Sequence, residues 1–221
     1  MLLYLSSYKL GNEIEVLKNW IKNHGNRIIL IANSRDWSPE SQAKEESVLR
    51  DCALLQQIGF GVKRLDLREY FGKEEKLRLD LENERAFFAI GGNTFTLRMA
   101  MKYSGFDNYL KEISKCDRYL YAGYSAGICV LAPMLNGLDL VDEPINPYND
   151  EGAMYEGLNI LDFVPAPHYK SDHPESQLVD KVIEVLEEKK IKYKPLKDGE
   201  VIVIDREKER EWFLWKKKNW N

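Results

Sequence analysis

A glycine-flanked serine, Ser125, has the surroundings expected of a catalytic nucleophile. The segment Gly123-Tyr124-Ser125-Ala126-Gly127 matches the pattern G-x-S-x-G and follows a run of strand-forming residues at 118–122, while Ile128–Leu131 can begin a helix. A tight strand-to-helix turn of this kind strains the serine backbone and leaves no room for side chains at the flanking glycines. The helix N-terminus would also offer N–H groups and a positive dipole to an oxyanion. An ordinary glycine-rich turn has the same residue types, but the strand before it and the helix after it favour a nucleophile.

A serine hydroxyl needs a base, and the chain has three histidines. His24 ends a predicted helix, where an imidazole interacts favourably with the helix dipole, so a structural role is expected there. His168 follows the predicted strand Leu161–Pro165, and α/β proteins place their sites just past strand ends. His173 lies five residues later on an expected surface loop. The two later histidines could share a metal ion, but no third ligand of suitable spacing accompanies them, so no metal site is predicted.

A third group, a carboxylate, would orient the imidazole. The candidates between Ser125 and His168 are Asp139, Asp142, Glu143, Asp150, Glu151, Glu156 and Asp162. Those in the stretch Leu138–Pro144 follow a short apolar run that could form a strand beside the serine. The residue pattern alone does not indicate which of these carboxylates orients the imidazole.

A second glycine-rich turn, Gly91-Gly92-Asn93, joins the apolar run Ala86–Ile90 to a predicted helix. Paired glycines at a strand end allow backbone N–H groups to approach a ligand closely, which suits a second oxyanion donor. The turn would also suit a phosphate, but neither a G-x-G-x-x-G pattern nor a P-loop lysine is present.

The surrounding chain alternates short apolar strands with segments of helical period. Predicted strands are Leu2–Ser6, Arg27–Asn33, Val62–Leu67, Ala86–Ile90, Arg118–Ala122 and Leu161–Pro165. Predicted helices lie at 14–21, 39–58, 73–84, 94–102, 107–115 and 175–189. Two late strands, Glu200–Asp205 and Glu211–Trp215, resemble an antiparallel hairpin at a sheet edge. This order predicts a single α/β domain over residues 1–221, with a mostly parallel sheet between helices.

Composition excludes several classes of protein. The 221 residues carry a net charge of −4, which argues against a general nucleic-acid binder, and the three lysines at 216–218 are expected at an edge-strand terminus. The longest stretch without a charged residue, 119–138, contains three glycines, a proline and an asparagine, so no membrane span is expected. Three cysteines without C-x-x-C spacing predict neither a disulfide framework nor a zinc site. The N-terminus has no signal sequence, so we expect a soluble cytoplasmic protein.

With these residues in place, the chain resembles the peptidase family S51, which contains dipeptidase E and cyanophycinase. The matching segments are Ala89–Phe95, Gly123–Gly127 and Pro167-His168, in this order and at fitting separations. The resemblance implies a class I glutamine-amidotransferase-like, flavodoxin-like fold, a three-layer sandwich. It also implies a serine peptidase acting on small peptides, without a cofactor, as a monomer or homodimer.

The same resemblance implies roles for individual residues. Ser125 would be the nucleophile and His168 the general base, while the N–H groups of Gly92 and Ala126 would form the oxyanion hole. Family members carry the acid after the nucleophile helix, often in an Asp-x-Pro setting, so Asp142 is chosen and Glu143 is the alternative.

Substrate specificity departs from the family pattern. Dipeptidase E carries arginines shortly after its histidine, whereas this chain has one lysine, Lys170, which is a poorer partner for a carboxylate. Lys170 and Asn93 are the candidate substrate contacts, and an aspartyl specificity stays open.

Two alternatives to a peptidase also stay open, an esterase and a non-enzymatic binding protein, whereas a glutamine amidotransferase is disfavoured. An esterase of α/β-hydrolase type has the same residue order, but the 43 residues between Ser125 and His168 are few for it. A glutamine amidotransferase would have a cysteine in place of Ser125, and Cys129 in the next turn is expected to be a buried thiol. A non-enzymatic peptide- or partner-binding protein could keep the same fold.

Overall fold

The computed structural model describes residues 1–205 and 210–212, in which strands and helices alternate. The strands are β1 (Leu2–Ser6), β2 (Arg27–Ile31), β3 (Gly61–Leu65), β4 (Ala86–Ala89), β5 (Leu120–Tyr124), β6 (Val164–Ala166), β7 (Tyr193–Pro195), β8 (Val201–Asp205) and β9 (Arg210–Trp212). The helices are α1 (Ile14–His24), α2 (Gln42–Gln57), α3 (Glu74–Asp80), α4 (Thr94–Ser104), α5 (Phe106–Ile113), α6 (Ala126–Cys129) and α7 (Ser176–Glu188).

Within the described residues, seven strands form one sheet in the order β3-β2-β4-β5-β1-β8-β9. The five strands from β3 to β1 are parallel, and β8 and β9 extend the sheet in antiparallel fashion beyond β1. The strands β6 and β7 form a separate parallel pair. The predicted mostly parallel α/β sheet is confirmed.

Apolar side chains on both faces of the sheet explain the layers. Phe87 and Phe88 are adjacent in β4 and point to opposite faces, as strand geometry requires. Phe87 packs with apolar residues of α3 to α7, whereas Phe88 packs with those of α1 and α2. Both phenylalanines are buried. The sheet therefore lies between two helical layers.

The parallel strands place the expected site at one edge of the sheet. Because β1, β2, β4 and β5 run in the same direction, the residues that follow them lie along the same edge. These residues are Ser7 after β1, Asn33–Arg35 after β2, Gly91–Asn93 after β4 and Ser125 after β5. Open α/β sheets bind ligands at such carboxyl ends.

Some predicted elements differ from the structure. The stretch 138–140, which could have been a strand, forms a short 3-10 turn, and β7 was not predicted. The late hairpin is confirmed in that Asp205 of β8 pairs with Arg210 of β9. The rest of its predicted second strand, 213–215, and the lysines at 216–218 lie outside the described residues.

Candidate active site

Ser125 occupies a strained turn between β5 and α6. Its backbone angles are φ 50° and ψ −120°, a region that disfavours residues with a side chain. A Cβ on Gly91, in the turn after β4, would lie 2.5 Å from the ring of Tyr124 and 3.1 Å from Cβ of Ser125. Gly91 therefore packs directly against the serine. Ser125 lines an open cavity of about 1120 Å³. The predicted strand–turn–helix setting of this serine is present.

The turn after β4 packs against the serine through Gly91 and carries the amide of Gly92. Ser34 holds this turn, since its carbonyl accepts the N–H of Asn93 at 2.7 Å and its hydroxyl reaches the Gly91 carbonyl at 3.1 Å. A Cβ on Gly92 would overlap the Ser34 carbonyl, so glycine is needed there. Within residues 1–205, neither the Gly92 N–H nor the Ala126 N–H donates to another protein group. Both amides are therefore free for a ligand.

His168 is buried and its ring is held by a carboxylate. Nδ1 of His168 lies 2.7 Å from Oδ1 of Asp198, in the loop between β7 and β8. His168 has a positive φ of 63°, and its N–H donates to Oγ of Ser7 at 2.8 Å. Ser7 Oγ in turn donates to the Asp198 carboxylate at 2.9 Å. The histidine is thus fixed through both its ring and its backbone.

The environment of His168 favours the neutral imidazole. Burial lowers the pKa of His168, the charge of nearby His173 lowers it further, and the Asp198 carboxylate opposes both effects. Because Nδ1 faces a carboxylate oxygen of Asp198, the proton of the neutral ring belongs on Nδ1, which leaves Nε2 as an acceptor. Ser125 and His168 line the same cavity, and no hydrogen bond joins their side chains among the described residues. Such contacts often close only when substrate binds.

The acid chosen from the sequence is not the partner of His168. Oδ2 of Asp142 accepts the N–H of Thr94 at the start of α4, at 2.9 Å. Burial raises the pKa of Asp142 to about 6, although the contact with Thr94 opposes this rise. The alternative acid, Glu143, is exposed, and its backbone carbonyl accepts from the side chain of Asn93 at 2.7 Å. Both residues line the cavity, but the carboxylate at Nδ1 is that of Asp198.

The two candidate substrate contacts have different positions. Asn93 lines the cavity, but its side chain caps α4 by accepting the N–H of Thr96 at 2.8 Å. Lys170 is exposed and does not line the cavity, and its Nζ lies over the ring of Tyr169 at 4.9 Å. The prediction that Lys170 contacts the substrate therefore has no support in this geometry.

Asp198 and Ser7 are the residues that the sequence analysis missed. Asp198 lies between Lys197 and Gly199, so it has the appearance of a solvated turn residue. It also lies after His168, outside the segment between Ser125 and His168 that holds the predicted acids. The available signal was the position of Asp198 just before an apolar strand, β8, which pairs with β1.

The imidazole of His173 covers the ring of His168, the candidate general base. The rings of His168 and His173 stack with centroids 3.7 Å apart and planes 11° apart, and the ring of Tyr8 meets both edge-on. Among the described residues, His168, His173 and Glu175 bring three candidate metal ligands within 4.8 Å of one another. An imidazole nitrogen binds a metal in the plane of its ring, so one ion cannot lie in the planes of two stacked rings. This arrangement fits an aromatic stack and not a metal centre.

Two further residues have structural roles, as predicted. Cys129 is buried, and burial raises the pKa of its thiol well above the ordinary value, which disfavours the nucleophilic thiolate. His24 lies in the last turn of α1 and stacks on Trp20 with ring centroids 3.8 Å apart.

Comparisons with known proteins identify a family and several relatives of this chain. The model of Peptidase family S51 matches residues 7–211. The chain is 27% identical over 150 residues to "Uncharacterized peptidase Lin0382" of Listeria innocua serovar 6a, which covers 68% of each protein. It is 30% identical over 151 residues to "Uncharacterized peptidase Lmo0363" of Listeria monocytogenes serovar 1/2a, covering 68% of this chain and 70% of that protein.

Solved structures show the same fold. A crystal structure described as a "Putative Peptidase E Protein" from Listeria monocytogenes EGD-e superposes with a TM-score of 0.73 at 24% identity, covering 93% of this chain and 94% of that one. A peptidase from an acI-B1 Actinobacterium gives a TM-score of 0.62 at 15% identity, covering 92% and 82%. Among the described helices, none is long and apolar enough to cross a membrane.

Proposed function

This chain belongs to peptidase family S51, and from that premise we propose that it is a serine peptidase that hydrolyses small peptides through Ser125, His168 and Asp198. The observation that carries the proposal is the 2.7 Å contact between Nδ1 of His168 and Asp198, because His168 lines the same cavity as Ser125. A serine, a buried imidazole and a carboxylate on its far nitrogen are the three parts of a catalytic triad.

The first half of the reaction acylates the serine. Nε2 of His168 takes the proton of the Ser125 hydroxyl while Oγ forms a bond to the scissile carbonyl carbon. The N–H groups of Gly92 and Ala126 stabilise the resulting oxyanion, because they have no protein acceptor within residues 1–205. His168 then gives its proton to the leaving amine, the carbon–nitrogen bond breaks, and an acyl-enzyme remains.

The second half of the reaction restores the enzyme. His168 takes a proton from water, the hydroxide attacks the acyl carbon, and the bond to Ser125 breaks as its oxygen regains the proton. Asp198 keeps the imidazole in the required tautomer and stabilises its charged form throughout. Ser7 supports both partners, since it accepts from the backbone of His168 and donates to Asp198.

The test is hydrolysis of a panel of dipeptides and tripeptides with varied N-terminal residues, by the wild-type protein and by Ser125→Ala. We expect turnover by the wild type and a loss of at least about 10³-fold in kcat for the variant, because triad members act as a unit. Ser114→Ala, at the end of α5 and away from the cavity, is the matched control and should retain full activity. Near-normal turnover by Ser125→Ala would refute the mechanism.

A serine-reactive fluorophosphonate probe separates a peptidase from a silent binding protein. Labelling at Ser125 is expected in the wild type and should disappear in Asp198→Asn, because the imidazole would lose its orientation. If the wild type neither cleaves any peptide nor takes up the probe, the peptidase proposal fails.

A further inference from the structure

The cavity beside Ser125 has basic side chains from three separate segments. Lys9 follows β1, Arg35 follows β2, and Arg50 lies on α2, and all three line the cavity. We call these residues the cationic wall. Lys44 also lines the cavity, but its Nζ is already paired with Glu40 at 3.0 Å and lies 3.7 Å from Asp36.

The inner part of the cationic wall, formed by Lys9 and Arg35, carries more positive than negative charge. Asp51 is buried, with Nζ of Lys9 2.7 Å from Oδ1 and the guanidinium of Arg35 3.5 Å from Oδ2. The hydroxyl of Tyr124 also donates to Asp51, at 2.9 Å. One carboxylate therefore faces two cations, and the Lys9 and Arg35 side chains keep 25% and 21% of their surface exposed. A partly buried excess of positive charge attracts an anion.

The same inner part of the cationic wall is hydrogen-bonded to residues next to Ser125. Nε of Arg35 donates to the carbonyl of Gly91 at 3.1 Å, and Gly91 packs against Ser125. Tyr124, which accepts from Lys9 at 3.3 Å and from Arg35 at 3.2 Å, immediately precedes Ser125. An anion attracted by Lys9 and Arg35 would therefore bind in the cavity that Ser125 lines.

Arg50 supplies an unengaged guanidinium at the same cavity. It is exposed, and within residues 1–205 it has no ion-pair or hydrogen-bond partner. Ser47 and Leu54 lie three residues before and four residues after it on α2, and both line the cavity, so this face of the helix borders it. A guanidinium forms two parallel hydrogen bonds with a carboxylate.

The acidic lining residues limit where an anion can bind. Asp142, Glu143 and Glu175 come from other segments of the chain and would repel a carboxylate. Burial and the charge of Asp198 raise the pKa of Glu175. A negatively charged group of the substrate is therefore expected near α2 and the residues after β1 and β2.

We propose that Lys9, Arg35 and Arg50 form a subsite that binds a carboxylate of the peptide substrate. The inference rests on the proposed function, because it assigns the substrate group that the proposed peptidase selects. The carboxylate belongs either to an acidic side chain or to the C-terminus of a short peptide. In this chain the cations therefore come from the segments before the nucleophile and not from Lys170.

The test is calorimetric titration of the Ser125→Ala protein, which binds without turnover, with Asp-Leu, Asn-Leu and Asn-Leu amide. Arg50→Gln should weaken binding of the carboxylate-bearing peptide about tenfold, because one charge-assisted contact is lost. Lys9→Gln should do the same, and added salt should weaken binding further. Lys22→Gln, an exposed cation on α1, is the matched control and should bind like the parent.

The three peptides identify the source of the carboxylate. If Asp-Leu binds more tightly than Asn-Leu and only that difference disappears in Arg50→Gln, the wall binds the acidic side chain. If Asn-Leu binds more tightly than its amide and that difference disappears, the wall binds the C-terminus. Equal affinities for all three peptides, unchanged affinity in both variants, or no binding at all would overturn the proposal.

The two proposals fail in different ways. If the wild type cleaves peptides through Ser125 but Lys9→Gln and Arg50→Gln leave KM unchanged for every peptide, the subsite is wrong and the peptidase stands. If Ser125→Ala shows the carboxylate-dependent binding while the wild type cleaves nothing, the subsite stands and the peptidase is wrong. Arg50→Gln keeps the test valid if loss of Lys9 destabilises the fold, because Arg50 has no described partner.

Discussion

The carboxylate of Asp198 lies 2.7 Å from Nδ1 of His168, although 30 residues separate the two in the chain. His168 follows β6, and Asp198 follows β7, which pairs with β6 in parallel. Ser7, after β1, bonds to both residues. The pairing of β6 with β7 and of β1 with β8 therefore fixes the orientation of the imidazole, and the carboxylate comes from a region beyond the segment that carries Ser125.

Replacing Asp198 by Asn should abolish most activity without unfolding the protein. An asparagine amide no longer favours the Nδ1-protonated tautomer or stabilises the imidazolium, so kcat should fall about 10³- to 10⁴-fold. Peptide hydrolysis measured at several pH values gives this loss directly. The residue is partly exposed, and its backbone N–H still bonds to Ser171, so the fold should persist.

Asp142→Asn is the matched control for that experiment. An asparagine oxygen can still accept the N–H of Thr94, and the residue does not contact the imidazole. We expect kcat within about tenfold of the wild type, because no bond to His168 is lost. A larger loss for Asp142→Asn than for Asp198→Asn would restore the acid chosen from the sequence.

Ser125→Gly should make the protein more stable than the wild type while abolishing hydrolysis. Glycine adopts φ 50° and ψ −120° without steric cost, and relief of such strain amounts to about 1–3 kcal/mol, of which added chain entropy removes part. We expect a net gain of about 1 kcal/mol in the free energy of unfolding, measured in urea. Ser125→Ala keeps the Cβ and should stay within about 0.5 kcal/mol of the wild type. Equal stabilities for the glycine and alanine variants would contradict stored strain at this turn.

The sequence predicts which segments form strands better than it predicts where each strand begins and ends. The strand Leu2–Ser6 agrees residue for residue with β1, because a short apolar run ends at two serines. The strand before the serine was predicted at Arg118–Ala122, whereas β5 spans Leu120–Tyr124. The difference arises because Gly123 and Tyr124 resemble the turn but complete the strand. β5 therefore ends at Tyr124, directly before Ser125.

The sequence identifies the serine and the histidine of the candidate site but not the carboxylate. Ser125 and His168 each follow a strand, and the position after a strand is visible in the apolar pattern. Asp198 acquires its position through the pairing of β7 with β6, and long-range strand pairing leaves no local mark in the sequence. The cationic wall has the same origin, since Lys9, Arg35 and Arg50 come together only in the folded sheet.

Gly127→Ala should destabilise the protein. A methyl group there would overlap the carbonyl oxygen of Ala89, so β4 and α6 would have to separate. Overpacking against the backbone costs about 1–3 kcal/mol, which outweighs the higher helix propensity of alanine. Urea unfolding measures the loss, and activity should fall because α6 carries Ala126. Gly152→Ala has no atom within 4 Å of the new Cβ and should change stability by less than about 0.5 kcal/mol.

Replacing His173 by Phe should move the acid limb of the pH profile of kcat/KM to higher pH. The general base must be neutral, and burial together with the charge of His173 lowers the pKa of His168, so the wild-type limb should lie below the ordinary histidine value of about 6.5. Phenylalanine keeps a ring stacked on His168 but removes that charge, and Asp198 and Glu175 remain nearby as negative groups. The pKa of His168 then rises, so that as the pH is lowered the variant loses activity at a higher pH than the wild type. The pH profile of free-enzyme kcat/KM for both proteins is the measurement, with Lys22→Gln as a variant remote from the site. A limb that stays in place would mean that His173 covers the ring without affecting its protonation.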